Sequence, residues 1–261
     1  MTIAGESPWA RLRRLRALGP VVVAHRGDSC RHVENTLTAF RAAGQLGVAM
    51  QEFDVHATRD GQLVCLHDDS LDRTTDAARV LGPGALVAQL RHDELAGLRT
   101  PGGDRIPSLA EALAVMLPEC IPLIERKSGD VSSYLGVLTA CQALGRCILQ
   151  SFDWDFVAAA HRLAPALPLA VLGPTQHFPR LDEACLAAAR QLGAGMMHWD
   201  AAAIGTAEVQ RTKAAGLLLC TYTTDSEAGM RGLAALGVDA FCTNDPGLGQ
   251  RLWQQRLLQT S

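Results

Sequence analysis

Short apolar runs alternate with stretches of helical periodicity along this chain. Residues 21–24 (VVVA) read as a buried strand. Leu37, Phe40, Ala43 and Leu46 then recur at helical spacing, with Asn35 or Thr36 placed to cap the helix and Gly47 to end it. Residues 50–55 (MQEFDV) form a second strand, whose alternation puts Glu52 and Asp54 on one face and Phe53 and Val55 on the other. From residue 121 the pattern becomes regular. Strands at 121–125, 147–150, 169–172, 196–198, 217–221 and 240–242 are separated by helices at 131–144, 154–163, 182–192, 207–214 and 226–235, and a last helix starts at Leu248. With the two early strands this makes about eight strand-helix units, the count that closes a TIM (β/α)8 barrel. An α/β barrel of this kind is the predicted fold. Its length of 261 residues suits a single domain, because such barrels reach ~250 residues as one unit.

Two stretches interrupt the alternation. Seven residues separate Val55 from Leu63, too few for the dozen or more that a parallel crossover needs, so LVCLHD is expected to return antiparallel. A two-residue turn at Asp60-Gly61 would pair Arg59 with Gln62 and set His67 opposite Asp54. The polar, glycine-bearing stretch 68–107 then has the look of a small insertion after the second strand, within a single domain spanning 1–261. Ser108 and Glu111 form a capping box that opens the next helix. Before the first strand, residues 11–18 read as a short basic helix with Leu12, Leu15 and Leu18 on one side, packing on the domain as a lid.

Composition narrows the setting. With 48% hydrophobic residues the chain can bury a substantial core, and no apolar run approaches the ~18 residues that span a bilayer. Four arginines interrupt the N-terminal stretch where a signal sequence would be apolar, so a cytoplasmic protein is expected. The eight cysteines are scattered without a CxxC pair, which favours reduced thiols over zinc or redox motifs. A net charge of −3 offers no field for nucleic acid or an anionic membrane. The expected partner is a small molecule, with no nucleic acid and no stable membrane association.

In such barrels the working residues come from the C-terminal ends of the strands. His25 and Arg26 follow the first strand, Glu52 and Asp54 lie on the second, His67 ends the hairpin, and Glu125 and Lys127 close the third barrel strand. Three carboxylates facing one another repel unless a cation compensates them. Oxygen donors favour Mg2+ or Ca2+ over zinc. One divalent ion with Arg26 and Lys127 would leave the site one positive charge in surplus, which suits a phosphodiester. His198, at the end of a later strand, is a further candidate for the pocket wall.

The run HRG, ENT, EFDV, TRDGQLVCLHDDSLDRTT and IERK resembles the glycerophosphodiester phosphodiesterase family, in its bacterial cytoplasmic type. The likeness covers residues 21–75 in order and spacing, with more at 107–127 and at Gln150-Ser151-Phe152. It implies metal-dependent hydrolysis of glycerophosphodiesters to sn-glycerol 3-phosphate and an alcohol. By motif, His25 and His67 would be the acid-base pair, Glu52, Asp54 and Glu125 the ligands of one Mg2+ or Ca2+, and Arg26 and Lys127 the substrate phosphate contacts.

The sequence departs from that pattern at four places. His32-Val33 precedes ENT where proline is usual, Arg126 replaces an aliphatic residue, Tyr222 is offset from a usual Trp-Thr pair, and Thr243-Asn-Asp245-Pro246 carries one extra residue. Two other readings are a lysophospholipase D-type hydrolase and a non-catalytic barrel that binds phosphoglycerol. The first would need an exposed apolar rim, and the second a lost histidine or metal ligand, which this sequence does not show. A metal amidohydrolase on this fold would carry HxH where this chain has HRG.

Overall fold

The computed structural model describes residues 6–259. Nine strands form one sheet: β1 (Val21–His25), β2 (Met50–Ala57), β3 (Leu63–Cys65), β4 (Ile121–Arg126), β5 (Ile148–Ser151), β6 (Leu169–Gly173), β7 (Met196–Asp200), β8 (Leu218–Tyr222) and β9 (Ala240–Thr243). Eight of them are parallel, and β1 pairs with both β9 and β2, so the sheet closes on itself. The predicted barrel is the observed fold. Helices Leu37–Gln45, Leu109–Met116, Val131–Ala140, Trp154–Leu163, Glu183–Gln191, Thr206–Ala214, Glu227–Leu236 and Pro246–Gln259 lie between and after the parallel strands.

Two apolar layers hold the barrel together. Outside, Phe40, Phe53, Tyr134, Trp199 and Phe241 pack with many aliphatic side chains in the space between strands and helices. Inside, Val21, Val23, Met50, Ile121, Leu123, Ile148 and Met196 fill the lower barrel, so the lumen is a packed core. Trp9, Leu12 and Leu15 from the helix Pro8–Leu15 pack against this inner layer. The predicted N-terminal lid therefore lies against the foot of the barrel. It starts earlier than its leucine spacing suggested, because Ser7 caps it and Pro8 supplies its first residue. Leu18 falls in a following turn and is exposed.

The β2–β3 hairpin is antiparallel as expected, but its register is shifted by one. Val55 pairs with Cys65 and Ala57 with Leu63. The backbone N–H of Leu66, not of His67, reaches the Asp54 carbonyl, at 3.1 Å. The cause is the loop: Thr58 N–H bonds to the Gln62 carbonyl at 2.9 Å, enclosing three residues where a two-residue turn was expected. Gly61 takes φ +77°, the left-handed position that closes such a loop. His67 lies just beyond the strand end.

After β3, residues 68–107 carry the short helices Ala77–Val80 and His92–Leu95 and a cluster of their own, in which Leu71, Ala77, Val87, Leu95 and Leu98 pack on Val64 and Leu66. The Ser108–Glu111 capping box then starts the helix Leu109–Met116 with both reciprocal bonds in place. Among the described residues no helix is long and apolar enough to cross a membrane.

Candidate active site

The barrel alternation delivers a polar ring above the apolar lumen. On β2, Glu52 and Asp54 point inward between the outward-facing Phe53 and Val55, and β4 adds Glu125 at the register position of Asp54. All three carboxylates are buried, and one oxygen from each lies within 4.8 Å of the others. Burial and the neighbouring Asp54 and Glu125 raise the Glu52 pKa well above the usual carboxylate range. Burial and Asp54 raise Glu125 as well. Burial acts the same way on Asp54, but Lys127 and Arg26 outweigh it and hold its pKa low. Lys127 Nζ sits 3.2 Å from Asp54 Oδ1 and also pairs with Glu125, while Arg26 Nε is 3.1 Å from Asp54 Oδ2.

Two oxygens of the trio lack a hydrogen bond, Glu52 Oε2 and Glu125 Oε1, but the second faces the Lys127 ammonium. Glu52 Oε2 is buried and accepts no hydrogen bond, with His25 Nε2 3.8 Å away. A buried carboxylate oxygen in this state is costly. Three converging hard oxygens, one of them unsatisfied, fit a divalent cation.

Local backbone chemistry places the loop after β1. Arg26 takes φ +58° and its N–H bonds to the Glu52 carbonyl at 2.8 Å, which turns its side chain back over the acids. Gly27, at φ +84°, has no room for a side chain, because a Cβ there would lie 2.7 Å from the Ala39 backbone. Of the two candidate caps for the next helix, Thr36 does the work, accepting from Ala39 N–H at 3.2 Å. Asn35 has another task. Its side chain donates to Asp54 Oδ2 at 2.9 Å and accepts from the Asp54 backbone N–H at 3.2 Å.

Both histidines are held by their Nδ1 atoms. His25 Nδ1 lies 2.7 Å from Asn244 Oδ1, and Asn244 Nδ2 in turn donates to Asp225 at 2.7 Å. The amide oxygen can only accept, so His25 carries its proton on Nδ1 and presents Nε2 toward Glu52. Burial and the adjacent Arg26 lower the His25 pKa to about 4. His67 Nδ1 lies 2.6 Å from Asp68 Oδ1, which likewise turns Nε2 to the pocket. Arg73 and His67 hold the Asp68 carboxyl well below its usual range, so it stays ionised. The His67 backbone is fixed as well, because His56 Nε2 donates to its carbonyl at 3.1 Å.

One pocket is lined by His25, Arg26, Glu52, His67, Glu125 and Lys127, and Asp54 is joined to it through Arg26 and Lys127. It offers about 170 Å³ of water-accessible space, enough for a small polar molecule. His198 also lines it. The remaining wall is apolar: Phe152 after β5, Leu172 on β6 and Tyr222 on β8, with the Phe152 and Tyr222 rings edge to face at 6.3 Å. Although Tyr222 is offset in sequence, it closes this wall, and its hydroxyl donates to the Gly173 carbonyl at 2.8 Å. Arg126 faces outward over the Phe156 ring and pairs with Asp153, so this departure from the family pattern lies outside the pocket. The extra residue near the C-terminus separates two duties: Asn244 holds His25, while Asp245 caps the last helix by accepting from Leu248 N–H.

The model of the glycerophosphoryl diester phosphodiesterase family matches residues 25–248. The chain belongs to that family. It is 28% identical over 248 residues to the glycerophosphodiester phosphodiesterase of Bacillus subtilis (strain 168), covering 87% of this chain and 84% of the relative. It is 32% identical over 237 residues to the enzyme of that name from Caldanaerobacter subterraneus subsp. tengcongensis, covering 87% and 94%. Among solved structures, a phosphodiesterase of Oleispira antarctica in complex with the product sn-glycerol-3-phosphate superposes with a TM-score of 0.80 at 25% identity, over 92% of this chain and 98% of that one. A putative glycerophosphoryl diester phosphodiesterase from Silicibacter pomeroyi gives 0.83 at 25% identity, over 93% and 97%. This family is one of phosphodiester hydrolases.

The sequence does not single out Asn244, Asp225 or the tie between Asn35 and Asp54, and it places His56 near the site but facing loop or outer wall. The first two lie more than 190 residues from His25 in the chain, and no local periodicity reports such a contact. His56 did carry a signal, since the alternation of β2 puts it on the face of Glu52 and Asp54, where it now clamps the His67 carbonyl.

Proposed function

We propose that this protein hydrolyses glycerophosphodiesters to sn-glycerol 3-phosphate and an alcohol, with one divalent cation, Mg2+ or Ca2+, held by Glu52, Asp54 and Glu125. The observation that carries this reading is the buried acidic trio, with its unsatisfied Glu52 oxygen, between two histidines that each turn Nε2 to one pocket. Such a cation, when bound, polarises the phosphoryl group and eases deprotonation of a coordinated hydroxyl.

The chain's own residues supply the rest. Arg26 and Lys127 bring two positive charges to the pocket and bind the non-bridging phosphate oxygens. His25 accepts the proton of the glycerol 2-hydroxyl as that oxygen attacks phosphorus. His67 gives a proton to the departing alkoxide as its bond to phosphorus breaks. The assignment follows the two partners: His67 Nδ1 faces the Asp68 carboxylate, whereas His25 Nδ1 faces the neutral Asn244 amide, which leaves the His25 Nε2 lone pair free to accept. Water then opens the cyclic phosphate with the roles reversed, giving sn-glycerol 3-phosphate. The apolar wall of Phe152, Leu172 and Tyr222 packs on the carbon side of the glycerol. Eight free cysteines, with Cys30 the exposed one, support a cytoplasmic setting.

The test is hydrolysis of sn-glycero-3-phosphocholine before and after chelation. Activity lost with chelator and restored by Mg2+ or Ca2+ supports the reading. Undiminished turnover in chelator contradicts it.

A further inference from the structure

We infer that His198, Cys220 and Cys242 form a second cation site, for a thiophilic divalent ion of the Zn2+ class, set in the floor of the same pocket. The three side chains come from neighbouring strands. His198 on β7 is the register partner of Cys220 on β8, and Cys242 arrives from β9. One ligand atom from each lies within 4.8 Å of the others, and all three residues are at most 2% exposed.

The ring is oriented for metal. His198 Nδ1 lies 2.9 Å from Gln150 Oε1, an atom that can only accept, so Nδ1 keeps the proton and Nε2 offers its lone pair to the sulfurs. Metal-bound histidines are characteristically held in this way through their other nitrogen. Nε2 is 3.4 Å from Cys242 Sγ. A tetrahedral zinc with ordinary Zn–S and Zn–N bonds sets that separation at ~3.6 Å, so a shift of a few tenths of an ångström builds the site. Hydrogen bonding alone leaves only weak contacts, because two thiols share one imidazole acceptor and otherwise meet each other's sulfur. Outside the trio, the Cys220 sulfur has a long contact to the Thr221 carbonyl at 4.0 Å. Most other residues of this inner barrel layer are aliphatic, so the two thiols and the ring stand out from packing of the usual kind.

The donor chemistry separates the two sites. Two sulfurs and an imidazole select soft ions and reject Mg2+ and Ca2+, whereas the oxygen trio of Glu52, Asp54 and Glu125 prefers hard ones. Access runs through the pocket, which His198 lines together with His25 and Glu125. Binding releases two thiol protons to solvent and forms two metal–sulfur bonds and one metal–nitrogen bond. The loaded site gains no net charge, and water completes the fourth position.

The test uses the full chain carrying Cys30→Ser, which removes the exposed thiol, with Ca2+ in excess to fill the carboxylates and Co2+ as the optical probe. Expected is a thiolate-to-cobalt charge-transfer band that saturates at one equivalent, disappears on adding Zn2+, is lost in Cys220→Ser and Cys242→Ser, and persists in Glu52→Gln. Circular dichroism checks that the variants fold. If they do not, X-ray absorption of the zinc-loaded chain without substitutions at these positions decides, with two sulfurs expected at about 2.3 Å from zinc. Absence of a thiolate band, a band that survives loss of both cysteines, or zinc ligated by nitrogen and oxygen alone would overturn the inference.

Discussion

Arg73 grips Glu34 through two hydrogen bonds, at 2.8 and 2.9 Å. The pair ties the segment after β3 to the loop after β1, and each partner also touches the site. Glu34 accepts from Arg26 at 2.9 Å, and Arg73 bonds Asp68, which holds His67. A continuous polar chain thus runs from Arg26, the arginine proposed to bind phosphate, to the proposed acid. Arg73 is half exposed, so its ion pairs contribute little to stability. Their effect is on position. Arg73→Ala is expected to lower kcat by up to ~10²-fold, the scale of a misplacement near 1 Å, with the unfolding midpoint almost unchanged. Steady-state kinetics and a thermal melt on the same preparation check both halves.

Asn244 does for His25 what Asp68 does for His67, without the charge. Asn244→Ala leaves the His25 ring free to turn and to carry its proton on either nitrogen. A loss of about 10-fold in kcat is expected, the low end of what a supporting hydrogen bond to a site residue is worth, with KM close to wild type. An equal loss in a variant that keeps the amide, Asn244→Gln with its Nδ1 contact restored in a structure, would argue against this role.

Glu52 lets the cation site be tested without turnover. In chelated protein its folded pKa is raised above the ordinary value of 4.5 by burial, Asp54 and Glu125. The native state therefore keeps a proton that the unfolded chain releases, and stability falls as pH rises through the folded pKa. Glu52→Gln is neutral in both states and escapes this loss, so the chelated variant is expected to melt higher than chelated wild type near neutral pH. Ca2+ or Mg2+ at one hundred times Kd should stabilise the wild type by about 2.7 kcal/mol, raising its midpoint, and move the variant little. Scanning calorimetry with and without metal reads both.

What the sequence made legible follows from how local each signal is. The period of two along β2 put Glu52 and Asp54 on one face, the strand-end rule pointed to Glu125 and Lys127, and the lumen geometry brings them together. The strand-helix alternation needed only local periodicity, and the barrel follows from its count. The hairpin register was missed because Thr58 closes a three-residue loop, and a shift of one residue there leaves no mark on the hydrophobic pattern of so short a strand. Asn244, Asp225, Glu34 and Arg73 escaped notice for a different reason: each acts through a side-chain contact between distant loops, which only the closed barrel creates.

The acid-base pair is tested most directly by His25→Ala and His67→Ala, assayed on sn-glycero-3-phosphocholine with Mg2+ or Ca2+ and with folding verified by circular dichroism. Each variant is expected to lose ~10²- to 10⁴-fold in kcat, the range for a positioned general acid or base. Wild-type turnover in either one would remove that histidine from the chemistry and contradict the two-histidine site.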